Sequence, residues 1–257
     1  MASLAAFWRY GVAKTLRKWK AAVLSPLMAC ADGPVRSAYG VLMVPNWQDT
    51  TFRYCIFGTY GRDLADLLLG QRQDFVFVDI GSNQGLYSLI AAQNPACRQV
   101  IAFEPVPTTH ARLAANVALN GGAARTVLHL LAIADSAGEV TINVAPDHTG
   151  TATLAGREGG VGVGGITIET IDAPLLDPLL AGDLPMFVKI DVEGLEAVVI
   201  SELAKTQRFA RVEAIFYEVD DRWASAGEIE ALLRAAGFTR FAKYGRGHHY
   251  DVLARRS

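Results

Sequence analysis

An apolar strand pattern that runs directly into a glycine-bearing turn limits the folds open to this chain. Residues 75–80 are short and apolar enough for a buried parallel strand, and the turn after them carries Gly81 and Gly85 before a helix pattern at 85–93. Glycine lets a backbone turn sharply and approach a ligand closely. Free N–H groups at a helix start can hold a carboxylate or a phosphate. The junction therefore predicts a small-molecule site at the carboxyl end of this strand.

Strand and helix patterns alternate from this junction toward the C-terminus. Strands are expected at 75–80, 99–103, 127–132, 187–191 and 212–219, and helices at 85–93, 109–119, 195–203 and 226–236. Such alternation is typical of βαβ units, a parallel sheet and right-handed crossovers. Two strand patterns near 238–244 and 249–254 predict an antiparallel finish. We therefore expect a Rossmann-like α/β fold with a mostly parallel seven-stranded sheet, an antiparallel last strand and helices on both faces.

Three parts of the chain are expected before and within this fold. Residues 1–38 form a helical segment whose first twenty residues carry basic and aromatic side chains and no acid. Such a helix can lie on an anionic membrane surface, and a solvated helix packing its aromatic side chains on the domain is the alternative. Residues 39–70 predict a hairpin, with strands at 39–44 and 51–57, and a helix at 62–69, appended to a ligand-binding domain at 71–257.

Composition excludes some function classes. The net charge of −2 gives no field that would draw the whole molecule to nucleic acid, and no apolar run reaches membrane-spanning length. Three cysteines without metal-ligand spacing predict free thiols in a reducing compartment. The expected location is the cytoplasm, with its inner membrane surface as the alternative.

Further strands are expected at 139–144 and 166–171, with a mobile glycine-rich loop at 156–165 between them.

The spacing of the glycine turn favours one cofactor over another. A dinucleotide fingerprint places glycine at its first, third and sixth positions, but counting from Gly81 this chain has Asn83 and Leu86 at the third and sixth. An acid that opens a Gly-x-x-x-Gly turn suits S-adenosylmethionine (SAM), whose amino group Asp79 can hold while the loop N–H groups hold its carboxylate. The predicted contacts are Asp79, Gly81, Ser82, Asn83 and Gly85. An ordinary strand-to-helix turn is the alternative.

Two more acids follow neighbouring strands. Glu104, before Pro105, ends the second strand, at the edge where parallel α/β sheets bind ligands, and its carboxylate can accept bonds from both ribose hydroxyls of an adenosine. Ala134 and Asp135 follow the third strand and are placed to flank the adenine. The alternatives are a solvated strand-end acid for Glu104 and, for Asp135, an acid in a turn before Gly138.

The fourth strand ends in a run of charges. Lys189 and Asp191 are two residues apart, so both point to one face of the strand, and Glu193 follows. Charges at the end of a buried strand are costly without partners or a function. They predict the lining of an acceptor pocket beside the cofactor. Pairing of Lys189 with Asp191 or Glu193 is the structural alternative.

These motifs together resemble the FkbM-type methyltransferase family. The resemblance spans about residue 39 to the C-terminus and is carried by residues 79–87, 103–105, 116–120 and, most specifically, 189–194. It implies a class I SAM-dependent methyltransferase, usually an O-methyltransferase, which often acts on sugars or other secondary metabolites. The usual pattern has alanine at Ser82, asparagine at Val106 and glutamate at Gly61. The last two departures leave the acceptor open.

Methyl transfer to an alcohol needs in-line positioning and removal of the hydroxyl proton. Asp191 is the first candidate for general base or acceptor orienter, with Glu193, Lys189 and Glu218 as further site residues. His148, His248 and His249 are alternative bases, each of which also fits a surface histidine.

The sequence leaves open a metal site and two alternative functions. Asp191, Glu193 and Glu218 could hold Mg²⁺, but no spacing requires it, so no metal site is predicted. An NAD-dependent oxidoreductase is the alternative enzyme, disfavoured by the missing glycines, and a non-catalytic nucleoside-binding protein is the non-enzyme alternative. The expected partner is a small-molecule or glycan hydroxyl acceptor. The sequence predicts no oligomeric state.

Overall fold

The computed structural model describes residues 33–145, 148–154, 165–180, 182–220, 226–245 and 247–256. Residues 1–32 of the predicted helical segment at 1–38 and residues 156–164 of the predicted glycine-rich loop at 156–165 lie outside these ranges; the described ends of the two segments contain strand β1 (Val35–Arg36) and the first residue of strand β9 (Gly165–Ile171). Among the described helices, none combines the length and hydropathy needed to cross a bilayer.

The described residues contain thirteen strands and seven α-helices. The strands are β1 (Val35–Arg36), β2 (Leu42–Met43), β3 (Phe75–Ile80), β4 (Cys97–Phe103), β5 (Thr126–His129), β6 (Ala132–Ile133), β7 (Gly138–Ala145), β8 (His148–Leu154), β9 (Gly165–Ile171), β10 (Met186–Ile190), β11 (Val212–Asp220), β12 (Phe238–Tyr244) and β13 (His249–Arg256). The helices are α1 (Thr50–Phe57), α2 (Arg62–Leu69), α3 (Leu86–Gln93), α4 (Pro107–Leu119), α5 (Ala173–Leu176), α6 (Glu196–Lys205) and α7 (Ala226–Ala235).

Seven strands form the main sheet in the order β12-β13-β11-β10-β3-β4-β5. Strands β5, β4, β3, β10 and β11 pair in parallel, whereas β13 is antiparallel to both β11 and β12. The expected Rossmann-like sheet with an antiparallel last strand is confirmed. One strand differs: the predicted strand at 127–132 divides, because β5 ends at His129 and β6 pairs with β9 in a second sheet of order β6-β9-β7-β8.

The two faces of the main sheet bury separate hydrophobic cores. Along β3, Phe75 and Phe77 pack in one core, and Val76, Val78 and Ile80 pack in the other. This alternation follows the two-residue period of a strand. The first core also takes buried residues of α1 to α4, and the second takes residues of α5, α6 and α7. Helices cover both faces, as expected, which explains why the central strands are almost entirely apolar.

The segment before the main sheet differs from its prediction. Residues 51–57 were expected to be a strand, but they lie in α1, so that prediction is wrong. Asp49 begins the helix by accepting a 2.6 Å hydrogen bond from the Phe52 N–H. Gly58, with φ of 61°, ends it and donates to the Tyr54 carbonyl. These two caps override the strand preference of the aromatic and β-branched residues between them.

The hairpin of this segment lies earlier in the chain than expected. It is formed by β1 and β2, in which Val35 pairs with Met43. Phe52 of α1 and Leu64 of α2 are buried in the same core as Phe77 of the main sheet. The segment therefore shares its hydrophobic core with the sheet that carries the site.

Candidate active site

The turn between β3 and α3 has a backbone that only glycine accommodates at two positions. Gly81 has φ of 74° and donates a 3.0 Å hydrogen bond to the Phe103 carbonyl. A Cβ at this position would overlap the carbonyl oxygen of Asp191. Gly85, with φ of 89°, is the residue before α3, and a Cβ there would overlap the Leu113 side chain. The turn is thus pressed against the end of β10 on one side and α4 on the other.

Asp79 and Lys189 form a buried pair across two neighbouring strands. They are register partners on β3 and β10, and Lys189 Nζ lies 3.4 Å from Asp79 Oδ1. The Ser88 hydroxyl donates a 2.6 Å bond to Asp79 Oδ2. Both charged residues are almost fully buried. The pair joins the strand end of the glycine turn to the charged strand end of β10.

Lys189 also contacts the glycine turn and Asp191. Its Nζ donates a 2.5 Å bond to the Gly81 carbonyl and lies 3.6 Å from Asp191 Oδ2. Burial opposes the positive charge, but the carboxylates of Asp191 and Asp79 outweigh it and raise the pKa of Lys189. Lys189 therefore remains an ammonium group and links the predicted cofactor acid to the predicted acceptor acid.

The Glu104 side chain accepts a hydrogen bond from the turn between β3 and α3. Its Oε2 accepts a 2.9 Å bond from the Asn83 N–H, and its Oε1 accepts a 3.0 Å bond from the Val106 N–H. Burial raises the pKa of Glu104 to about 7, although the two backbone N–H groups favour its charged form. Asn83 has φ of 50°, a left-handed conformation that asparagine tolerates better than most residues. Ser82 is buried beside it and donates to the Phe103 carbonyl, while Pro105 is half-buried.

The residues predicted to flank an adenine follow β6, a strand of the second sheet. The Ala134 N–H donates a 2.9 Å bond to Ile171 beyond the end of β6 and β9, and Asp135 is exposed. The strand end directly beside Glu104 is His129, whose carbonyl accepts a 3.0 Å bond from the Glu104 N–H. The His129 ring stacks on Phe103 with centroids 4.8 Å apart. The role of Asp135 stays a prediction, whereas His129 is a neighbour that the sequence interpretation missed.

Three carboxylates converge beyond Lys189. Asp191, Glu193 and Glu218 each offer one oxygen within 4.8 Å of the others, and we call them the acidic group. Glu193 has φ of 55°, a costly conformation for a non-glycine residue that is held by its surroundings. Burial, followed by repulsion from Asp191 and Glu218, raises the pKa of Glu193 to about 9. Oxygen ligands at this spacing suit a hard cation, but acidic groups of this kind also occur without a metal.

His249 and Asp251 extend this edge of the sheet. His249 Nε2 lies 2.5 Å from Glu218 Oε1, and Asp251 faces Glu218 across β11 and β13. Burial opposes a charge on His249, but the bond to Glu218 outweighs it and raises the histidine pKa. Burial, followed by Asp191, raises the pKa of Asp251 to about 7. Of the three candidate histidines, His249 joins the acidic group, His248 is exposed, and the side chain of His148 lies outside the described residues.

Asn116, in a motif that carried the family resemblance, holds the N-terminal segment to the glycine turn. The side-chain amide of Asn116 donates a 2.8 Å bond to the Gln84 carbonyl, and its oxygen accepts a 2.7 Å bond from the Val44 N–H. Gln84 in turn donates a 3.2 Å bond to Asp49 Oδ1. This segment thus contacts the predicted cofactor loop through polar side chains.

The geometry agrees with what comparison with known proteins shows. A family model described as "Methyltransferase FkbM domain" matches residues 79–240. The chain is 29% identical over 215 residues to a Streptomyces tacrolimicus protein, "31-O-demethyl-FK506 methyltransferase FkbM", covering 72% of this chain and 81% of that one. It is 29% identical over 199 residues to "Hexuronic acid methyltransferase AglP" of Haloferax volcanii, covering 76% and 77% of the two chains.

A solved structure shows the same fold at low sequence identity. It is described as "Human methyltransferase 10 domain containing protein", with a TM-score of 0.51 and 11% identity over 96% of this chain and 97% of that one. This match supports the fold alone. The family model matches well over half of the chain, with the glycine turn, Glu104, Lys189 and the acidic group inside the matched residues. The protein therefore belongs to the FkbM methyltransferase family.

Proposed function

We propose that this methyltransferase uses SAM to methylate a hydroxyl group of a small molecule or glycan. The observation that carries the proposal is the ion-pair chain from Asp79 through Lys189 to Asp191. It joins the turn suited to a cofactor to an acidic group suited to an alcohol. A nucleoside-binding protein without turnover would not need buried charges beside the acidic group, where the acceptor would bind.

The residues of the turn fit SAM. Gly81 and Gly85 have positive φ angles, and Gly85 directly precedes α3, where N–H groups at a helix start attract a carboxylate. Glu104 is a buried acid at the next strand end, placed to accept hydrogen bonds from ribose hydroxyls. SAM, when bound, would supply a methyl group on a sulfonium, whose positive charge suits an edge rich in carboxylates.

Asp191 is the proposed proton acceptor. Its side chain is 26% exposed, unlike the fully buried Asp79, so it can meet an acceptor molecule. Lys189 lies 3.6 Å from one of its oxygens, which leaves the other oxygen to take the hydroxyl proton of the acceptor. Glu193 and Glu218, with raised pKa values, are placed to hold further acceptor hydroxyls.

The names of the relatives support an oxygen acceptor without fixing its identity. One relative is named for a 31-O-demethyl compound and another for a hexuronic acid. These acceptors differ in shape and charge, while both chains align with this one over most of its length. We therefore propose a hydroxyl acceptor and leave the scaffold that bears it to experiment.

Calorimetry with SAM and with NAD⁺ tests the cofactor first. We expect SAM to bind in the micromolar range and NAD⁺ not to bind, because Asn83 and Leu86 replace fingerprint glycines. Binding of NAD⁺ alone would overturn the proposal in favour of an oxidoreductase.

Asp191→Asn then tests the proposed base. The substitution removes the carboxylate but keeps its size, so we expect S-adenosylhomocysteine formation to fall by about 10²- to 10⁴-fold. SAM affinity should stay within a few-fold, because Asp79 and Glu104 are untouched. Asp183→Asn, on an exposed residue paired with Arg211, is the matched control and should keep full activity. Full activity of Asp191→Asn would remove Asp191 from the mechanism.

A further inference from the structure

A tyrosine from the segment before the main sheet lies in a turn that packs on Tyr87, beside Lys189. Tyr60 is in the turn between α1 and α2, and the residue as a whole is 37% exposed. The Tyr39 hydroxyl donates a hydrogen bond to the Tyr60 carbonyl, which ties the turn to the hairpin region. A half-exposed aromatic ring whose backbone is fixed presents a preformed surface to a ligand.

The next residue, Gly61, connects this turn to the site. Gly61 has φ of 80°, and a Cβ there would overlap the hydroxyl of Tyr87. The Tyr87 ring lies 5.9 Å from Lys189 Nζ, which is 3.6 Å from Asp191. The turn that carries Tyr60 is therefore packed directly on a residue that borders the Lys189–Asp191 pair.

The charges of the acidic side also act on the Tyr60 phenol. Burial, then the charge of Asp191, raises the pKa of Tyr60 well above its usual value, with further contributions from Asp251 and Glu218. The phenol therefore keeps its proton and can donate a hydrogen bond. A phenol donor complements the accepting oxygens of the charged carboxylates in this group.

We propose that Tyr60 is a specificity-determining residue for the methyl acceptor. Its ring packs against a hydroxyl-bearing ring of the acceptor, its phenol donates a hydrogen bond to an acceptor oxygen, and Tyr87 holds it in place through the Gly61 turn. This inference rests on the proposed function, because it assigns the acceptor half of that site. It adds a segment outside the matched family residues, 79–240, to the binding surface.

Binding of ring alcohols to the protein saturated with S-adenosylhomocysteine tests this assignment. The probes are methyl α-glucopyranoside, methyl β-glucuronide and cyclohexanol, measured by saturation-transfer NMR on the wild type, Tyr60→Ala and Tyr60→Phe. Tyr54→Ala is the matched control, since Tyr54 is a 43% exposed tyrosine on the neighbouring helix α1.

We expect at least one probe to bind the wild type and to lose about tenfold or more in affinity in Tyr60→Ala, the loss that corresponds to about 1.4 kcal/mol. The probe affinity of Tyr60→Phe should lie between those of the wild type and Tyr60→Ala, and the affinity of Tyr54→Ala should match the wild type. S-adenosylhomocysteine affinity should stay within about twofold in every variant, since substitutions at sites without shared partners have nearly independent effects.

Two outcomes would overturn the assignment. In one, no probe binds the wild type. In the other, every probe that binds the wild type binds Tyr60→Ala equally well. If S-adenosylhomocysteine itself does not bind the wild type, the proposed function fails, and this result is distinct because it is read before any probe is added.

Discussion

At the scale of single residues, Glu104 shows how burial and function meet in one side chain. Its carboxylate is enclosed at a strand end and is bonded by the N–H groups of Asn83 and Val106. The resulting pKa of about 7 lies close to physiological pH. Glu104 therefore changes charge under conditions in which the protein can be studied while folded.

We expect SAM affinity to fall as the pH is lowered from 8 to 6. Ribose hydroxyls donate to the charged carboxylate, and protonation removes part of its accepting capacity. One pH unit below the pKa, the affinity should be lower by up to about tenfold. Calorimetry across this range measures the effect. Glu104→Gln should bind more weakly at pH 8 and lose the pH dependence attributable to this group; a wild-type affinity that is flat from pH 8 to 6 would contradict the prediction.

Several site residues could be predicted because they lie close to one another in the sequence. Asp79, Gly81 and Gly85 lie at one strand-to-helix junction, and Lys189 and Asp191 lie at the end of one strand, so their proximity follows from local geometry. Tyr60 and Asp251 could not be found this way, because they reach the site from separate chain segments. Their chemistry appears only when the sheet brings β13 beside β11 and the α1–α2 turn beside Tyr87.

At the scale of elements, burial on both faces made strands easier to recognise than caps. Strand β3 matches its predicted bounds because every residue from Phe75 to Ile80 is buried. The sequence of helix α1 predicts a strand because its residues are largely aromatic and β-branched. Its two ends, Asp49 and Gly58, are the signals that decide its structure. Capping residues do not follow the hydrophobic period of a helix or a strand, so a prediction from periodicity does not detect them.

Asp49→Ala should destabilise the protein by about 2 kcal/mol, since it removes both an N-cap and the bond from Gln84 in a buried setting. A SAM affinity reduced by several-fold should accompany this loss, because Gln84 belongs to the cofactor turn. Denaturant unfolding and calorimetry measure the two effects. Asp66→Ala is the control, because it removes only an exposed ion pair with Arg62 and should change stability by less than about 0.5 kcal/mol. Equal stability of the two variants would show that the cap does not stabilise α1.

At the scale of the whole molecule, the acidic group places function in conflict with stability. Burial and mutual repulsion raise the pKa values of Glu193, Glu218 and Asp251. The folded state therefore binds protons more tightly than the unfolded state at these groups. As the pH rises above the unfolded value near 4.5, unfolding releases protons, so stability falls until the folded groups also ionise.

Glu193→Gln tests this conflict at its largest shift. The substitution removes a carboxyl whose folded pKa is about 9, so the variant should lose less stability than the wild type between pH 5 and pH 9. We expect its Tm relative to the wild type to rise over that range by at least about 2 °C, the change that about 1 kcal/mol produces in a chain of this size. Thermal unfolding at both pH values measures it, with Glu228→Gln, on the first turn of α7, as the matched control. A Tm difference that is the same at pH 5 and pH 9 would mean that Glu193 is equally charged in the folded and unfolded states. The strained, charge-repelling edge of the sheet would then cost the fold nothing, and its left-handed backbone at Glu193 would need another explanation.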